Sequence, residues 1–149
     1  MKKATIFIAA LLSGCAEMPA YSNIESDFID ESKYVTLETD TYAERKSRSL
    51  LSLEANLNII RINGKKVGDI PFSTYYYRND SPQKALLKPG KYTIQLEYKL
   101  PSHFLFANLE FLGHAGQKIL AKSAYIGLNR VDVWLEDAET GKKISSRVK

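Results

Sequence analysis

Lys91-Tyr92-Thr93-Ile94-Gln95-Leu96-Glu97-Tyr98-Lys99-Leu100 alternates without a break between apolar and polar side chains. Tyr92, Ile94, Leu96, Tyr98 and Leu100 share one face of an extended chain, and Thr93, Gln95, Glu97 and Lys99 share the other. A period of two predicts a strand with one face in a core and the other in water. Lys88-Pro89-Gly90 supplies the turn before it, because proline pre-sets φ and glycine takes backbone angles closed to other residues. Pro101 ends the strand.

The same pattern extends in both directions. Upstream, Leu57 to Ile62 runs into Asn63-Gly64 and then Lys65 to Val67. Asn-Gly between two such runs is the strongest short hairpin signal, because both residues tolerate the positive φ of a type I′ turn. Tyr34 to Leu37 reads as a first strand, and Glu44 to Ser49 as a solvated basic loop. Downstream, Phe104 to Leu112 is an apolar strand closed by Gly113-His114-Ala115-Gly116. Lys118 to Ile126 returns, and Gly127-Leu128-Asn129 turns again. Val131, Val133 and Leu135 then alternate with Asp132, Trp134 and Glu136. Glu139-Thr140-Gly141 turns the chain into a last strand at Lys142 to Ser146, after which a polar tail is expected to fray. With no long helical pattern, the expectation is all-β: an antiparallel β-sandwich of about seven to eight strands, prealbumin- or immunoglobulin-like.

Composition agrees with that class. Nine tyrosines and six phenylalanines enrich strand-forming aromatics. The single cysteine, Cys15, excludes a disulfide within the chain, so the core alone must hold the fold. The formal charge of +4 falls by two without Lys2 and Lys3, too little to imply nucleic-acid binding.

The N-terminus reads differently. Lys2 and Lys3 precede an apolar run from Ala4 to Leu12, far short of the ~20 residues that a spanning helix needs. Leu12-Ser13-Gly14-Cys15 follows. This order resembles the signal of bacterial lipoproteins. The resemblance implies cleavage between Gly14 and Cys15, diacylglycerol on the Cys15 sulfur and a third acyl chain on its new amino group. Two or more chains make membrane attachment effectively permanent. Ala16, where an aspartate would retain such a protein at the inner membrane, implies sorting to the outer membrane. The expected organisation is a signal peptide over 1–14, a lipidated tether over 15–33 and a domain over 34–149. Within the tether, Ile24, Phe28 and Ile29 share the spacing of one amphipathic helical turn.

Ile62-Asn63-Gly64-Lys65-Lys66-Val67-Gly68-Asp69-Ile70-Pro71-Phe72, continued by Leu87-Lys88-Pro89-Gly90-Lys91-Tyr92-Thr93-Ile94, resembles PEGA-type domains. That resemblance implies a small β-sandwich of bacterial envelope proteins that binds without catalytic residues. The chain departs from the pattern in a longer insert, Ser73 to Ala85, and in Lys99-Leu100-Pro101 where a Gly-Tyr is usual. Val133-Trp134-Leu135-Glu136-Asp137 with Thr140-Gly141 is similar to a hairpin of small envelope lipoproteins of unassigned function.

Catalytic chemistry finds little support. His103 and His114 are the only imidazoles, both in turn contexts, without a Gly-x-Ser-x-Gly elbow or a third metal ligand type nearby. Gly64-Lys65-Lys66-Val67-Gly68-Asp69 lacks the spacing of a phosphate-binding loop. Asp132 and Glu136 flank Trp134 on one strand face, with Asp137 and Glu139 in the next turn, as a solvated acidic face would. Tyr75-Tyr76-Tyr77 is the candidate binding element, since tyrosine joins an apolar body to a hydroxyl. The expectation is therefore a lipid-anchored, non-enzymatic module without cofactor or metal that binds an envelope protein. Its alternative is a small-ligand or glycan binder that uses Tyr75 to Tyr77.

Overall fold

The computed structural model describes residues 20–25, 30–45, 55–67, 81–100, 104–128 and 130–148. They form ten strands, β1 (Ala20–Ser22), β2 (Val35–Thr39), β3 (Asn56–Ile62), β4 (Lys65–Lys66), β5 (Lys84–Leu87), β6 (Gly90–Lys99), β7 (Phe104–Gly113), β8 (Lys118–Gly127), β9 (Arg130–Asp137) and β10 (Ser146–Arg147), with one short α-helix, α1 (Asp40–Arg45), and a single 3-10 turn at Glu31–Lys33. The strands make two five-stranded sheets, ordered β1-β5-β2-β8-β9 and β10-β7-β6-β3-β4.

Turn chemistry places the hairpins as expected. Asn63 and Gly64 take φ of 49° and 75°, and Ile62 pairs with Lys65 across the turn. The Asn63 side chain also accepts a hydrogen bond from the Thr93 N–H at 2.9 Å, which fastens the hairpin tip to β6. Strand β6 buries Tyr92, Ile94 and Leu96 on its apolar face. These meet Leu57 and Ile59 of β3 and Leu109 and Phe111 of β7 in the same cluster as Val35, Leu37, Ile119 and Leu135 of the first sheet. Both sheets therefore share one core. They approach so closely at Gly113 that a Cβ there would lie 2.8 Å from Val35 Cγ2.

The first sheet is mixed rather than antiparallel. Strand β1 runs parallel to β5, and β2 runs parallel to β8. Parallel partners need long crossovers, and here the connection from β2 to β8 passes through most of the second sheet. Polar side chains secure the point of departure. Asp40 accepts hydrogen bonds from the N–H and hydroxyl of Ser123 in β8, at 2.8 and 3.0 Å. Thr41 Oγ1 accepts from the Leu57 N–H of β3 at 3.0 Å. The start of α1 is thus pinned to both sheets, and Glu44 and Arg45 belong to this helix instead of a loop.

Three more expectations change. Ala20–Ser22 lies in a sheet, so the expected tether contributes a strand. Asn23 reinforces it, accepting from the Lys88 N–H at 2.9 Å and donating through Nδ2 to Tyr92 Oη at 3.0 Å. Phe28 and Ile29 lie outside the described residues. Glu97 does not face water: it is 2% exposed, on the sheet face opposite the shared core. Asn58, its cross-strand partner, donates to Glu97 Oε2 at 3.1 Å and accepts from Gln83 Nε2 at 2.9 Å. Last, Ser146 to Val148 pair with β7 where the sequence predicts a frayed tail, and Lys142 to Ser146 is not one strand. Lys143 makes a single bridge to Glu136, and Ser146–Arg147 joins the opposite sheet beside β7.

Candidate binding site

The C-terminal crossover borders an open concavity. Asp137 sets the turn that starts it, accepting from Gln117 Nε2 at 2.8 Å and from the N–H and hydroxyl of Thr140 at 2.9 and 3.0 Å. These bonds, Gln117 first, hold the Asp137 carboxyl down at about 2. The chain then runs beside β9, where the Ile144 N–H donates to the Leu135 carbonyl at 2.9 Å. It next crosses to β7, where the Val148 N–H donates to the Asn108 carbonyl at 3.0 Å. A 2.8 Å ion pair between Arg147 and Asp132 fastens the crossing.

Beyond that strap, toward Phe104 and Arg130, no described strand covers the outer edge of either β7 or β9. Backbone groups alternate in direction along a strand. Since Asn108 and Leu135 point their carbonyls outward, so do Phe106 and Phe104 on β7, and Val133 and Val131 on β9. The gap between these edges is an open cleft of about 470 Å³, lined by Leu105, Phe106, Ile126, Arg130, Val131, Asp132 and Arg147. A recess of about 200 Å³ shares four of these residues and adds Tyr98, Ala107, Asn108, Val133 and Val148 to the walls. Burial, followed by the Asp40 and Tyr125 charges, raises the Tyr98 phenol above its usual range.

Apolar groups crowd the mouth. Phe104 and Phe106 are 52% and 45% exposed, and Tyr125 and Ile126 are more than half exposed. The two phenylalanine rings pack against each other with centroids 5.3 Å apart. Leu128 is 95% exposed and holds φ at 49°, a conformation unfavourable for a leucine. Among the described residues the Arg130 side chain has no ion-pair or hydrogen-bond partner. The mouth therefore combines apolar surface, free backbone groups and one uncompensated cation.

Other expected positions fall elsewhere. Gly14, Cys15, Tyr75, Tyr76, Tyr77 and His103 lie outside the described residues. His114 is exposed, its backbone N–H held by Gln117 Oε1 at 3.0 Å. The acidic residues disperse into structural contacts: Asp132 to Arg147, Asp137 within its turn, and Glu136 accepting from Trp134 Nε1 at 3.1 Å. Among the described residues no group of three or more His, Cys, Asp or Glu could hold a metal ion, and no helix is long and apolar enough to cross a membrane. The sequence marks the cleft residues as strand residues and not as one site. Their one local signal is Phe104-Leu105-Phe106-Ala107, where alternation stops and both faces of the strand become apolar. Comparison with protein-family models, with curated proteins and with solved structures finds no match.

Proposed function

We propose that this chain is a lipid-anchored, non-enzymatic lipoprotein of the bacterial envelope whose β-sandwich docks a protein partner through the cleft between β7 and β9. The observation that carries the docking is the cleft mouth. Exposed Phe104, Phe106 and Ile126 cluster beside uncovered strand edges, exposed Leu128 lies in the turn between Ile126 and Arg130, and contiguous exposed apolar surface with an apolar centre and polar rim is the anatomy of an interface. The strained, exposed Leu128 contributes nothing to the core, which fits a side chain retained for contact.

Two features support the sandwich. The sheets share one core cluster, and Tyr92, at the start of β6, donates its hydroxyl to the Lys88 carbonyl four residues upstream at 2.7 Å. That bond is similar to the tyrosine corner of such folds, in which a hydroxyl bonds back to the chain a few residues upstream. The hairpin at Asn63-Gly64 and the Pro89-Gly90 turn favour a PEGA-like module. Attachment rests on Leu12-Ser13-Gly14-Cys15, with acyl chains on Cys15 and, from Ala16, placement at the outer membrane. The anchor confines the domain to the membrane and raises its effective concentration for neighbours there.

Cys15→Ser should move the full chain from the detergent phase to the aqueous phase; unchanged partitioning would refute the anchor. Changing Phe104, Phe106 and Leu128 together to Ser should abolish cross-linking to the partner while the melting temperature holds. If the partner were still captured undiminished, the cleft mouth would not be the docking surface.

A further inference from the structure

The cleft is bordered by backbone as much as by side chains, and that restricts what fills it. The N–H and carbonyl groups of Phe104 and Phe106 point into a space that no described strand occupies. Buried backbone groups need partners, and a polypeptide in extended conformation supplies donors and acceptors at their repeat. The edge carries none of the usual guards, since Phe104-Leu105-Phe106-Ala107 holds no charge and no proline. Strand β10 already demonstrates acceptance: it lies antiparallel on the same edge, with Ser146 opposite Glu110 and Arg147 opposite Leu109.

We propose that the partner enters as an extended segment that pairs antiparallel with the outer edge of β7, in line with β10, and sets a carboxylate against Arg130. This rests on the docking reading above and specifies its mode. Side chains of an added strand alternate between faces. Those turned inward meet Leu105, Ala107 and Val131, and those turned outward meet Phe104 and Phe106. The segment facing Phe104 to Ala107 is therefore apolar on both faces, with an acidic side chain or a free C-terminus beyond it. Main-chain bonds supply affinity and the flanking pockets supply selectivity, as in other edge-addition complexes. A second copy of this chain fits less well. Its own cleft is concave and cannot fill another, and a twofold arrangement would bring the two unpaired Arg130 cations toward each other.

The test uses the full chain in its native envelope with a photo-cross-linking phenylalanine analogue at Phe104, at Phe106, or at the control position Leu112. The control is exposed on the same face of β7 but away from the cleft. The expected product from Phe104 and Phe106 is one apolar segment of one partner, with attachment points spaced by two residues and an acidic group adjacent, and none from Leu112. That segment, made as a synthetic peptide, should slow amide exchange at Phe104 and Phe106 at least tenfold. R130E should weaken its binding about tenfold, and R130K should restore most of it. Cross-links to lipid, to this chain or equally from Leu112, or bound peptide without protected amides, would overturn the strand mode. If chain-wide lysine cross-linking still captured a partner contacting other surfaces, only the mode would fail. Capture of no partner by either route would remove the docking reading as well.

Discussion

Tyr92→Phe isolates a single hydroxyl that ties three parts of the molecule together. The ring stays buried and keeps its stacking on Phe111, with centroids 5.6 Å apart, so packing changes little. The hydroxyl donates to the Lys88 carbonyl at 2.7 Å and accepts from Asn23 Nδ2 at 3.0 Å. Lys88 is exposed, so water can replace that bond at a loss of about 0.5 kcal/mol. Asn23 is half-buried, and leaving its amide unpaired costs about 1 kcal/mol more. The sum, about 1.5 kcal/mol, corresponds to a fall in melting temperature of about 6 °C for a domain of this size. Asn23→Ala removes the same bond plus the one to the Lys88 N–H, so its loss should be similar and the two should not add. A coupling of about 0.5–1 kcal/mol is expected from a double-mutant cycle. Urea unfolding of the detergent-solubilised chain, followed by tyrosine and tryptophan fluorescence, measures both, with the m-value unchanged. A Tyr92→Phe loss below about 0.3 kcal/mol with full additivity would refute the view that Asn23 and Tyr92 bind β1 into the fold.

Further outcomes are expected elsewhere. Gly113→Ala places a Cβ 2.8 Å from Val35 Cγ2 and should destabilise by about 1–3 kcal/mol; thermal melting checks it, and Val35→Ala in the same chain should recover part of the loss. The Asp137 carboxyl titrates at about 2, below its ordinary 3.8, so its ionised form favours the fold. That contribution is complete above about pH 4, disappears as pH falls through about 2 and should be missing at all pH values in Asp137→Asn. The variant's acid-unfolding profile should accordingly be flatter than the parent's between those limits. Leu128→Asn substitutes a residue that tolerates positive φ and should raise stability by about 0.5 kcal/mol while lowering partner cross-linking. Measuring both on one preparation separates a contact residue from an indifferent turn residue.

Local chemistry made part of this molecule legible. Asn63-Gly64 requires no distant neighbour to turn a chain, and Tyr92, Ile94 and Leu96 declare their face by spacing alone. What depends on distant neighbours was hidden. Glu97 carries a surface residue's character and occupies a polar position in an alternating strand, yet Asn58 pairs with it and Gln83 bonds Asn58 in turn, so it lies buried. The parallel pairing of β2 with β8 leaves no mark in either strand, because hairpin signals report only sequential antiparallel neighbours. Ser146 and Arg147 look like a solvated tail until the register of β7 is known. The cleft is hidden for the same reason: Phe106 and Arg130 stand far apart in sequence, and only the crossing of the C-terminal segment leaves the edges between them uncovered. A burial tie such as Glu97 is decided by its neighbours, not by its own hydropathy.

The position of β1 also governs how the anchored domain would stand on its membrane. Ala20 opens a strand at one margin of the first sheet, five residues after Cys15. Fully extended, that connection spans at most ~18 Å, a short leash that, under the proposed lipidation, would hold this margin close to the headgroups. Strand β9 lies at the opposite margin, four strand spacings away, or about 19 Å. Acyl chains on Cys15 would therefore draw the bilayer to the side of the sheet farthest from the cleft, which leaves its mouth open to neighbours arriving from the aqueous compartment.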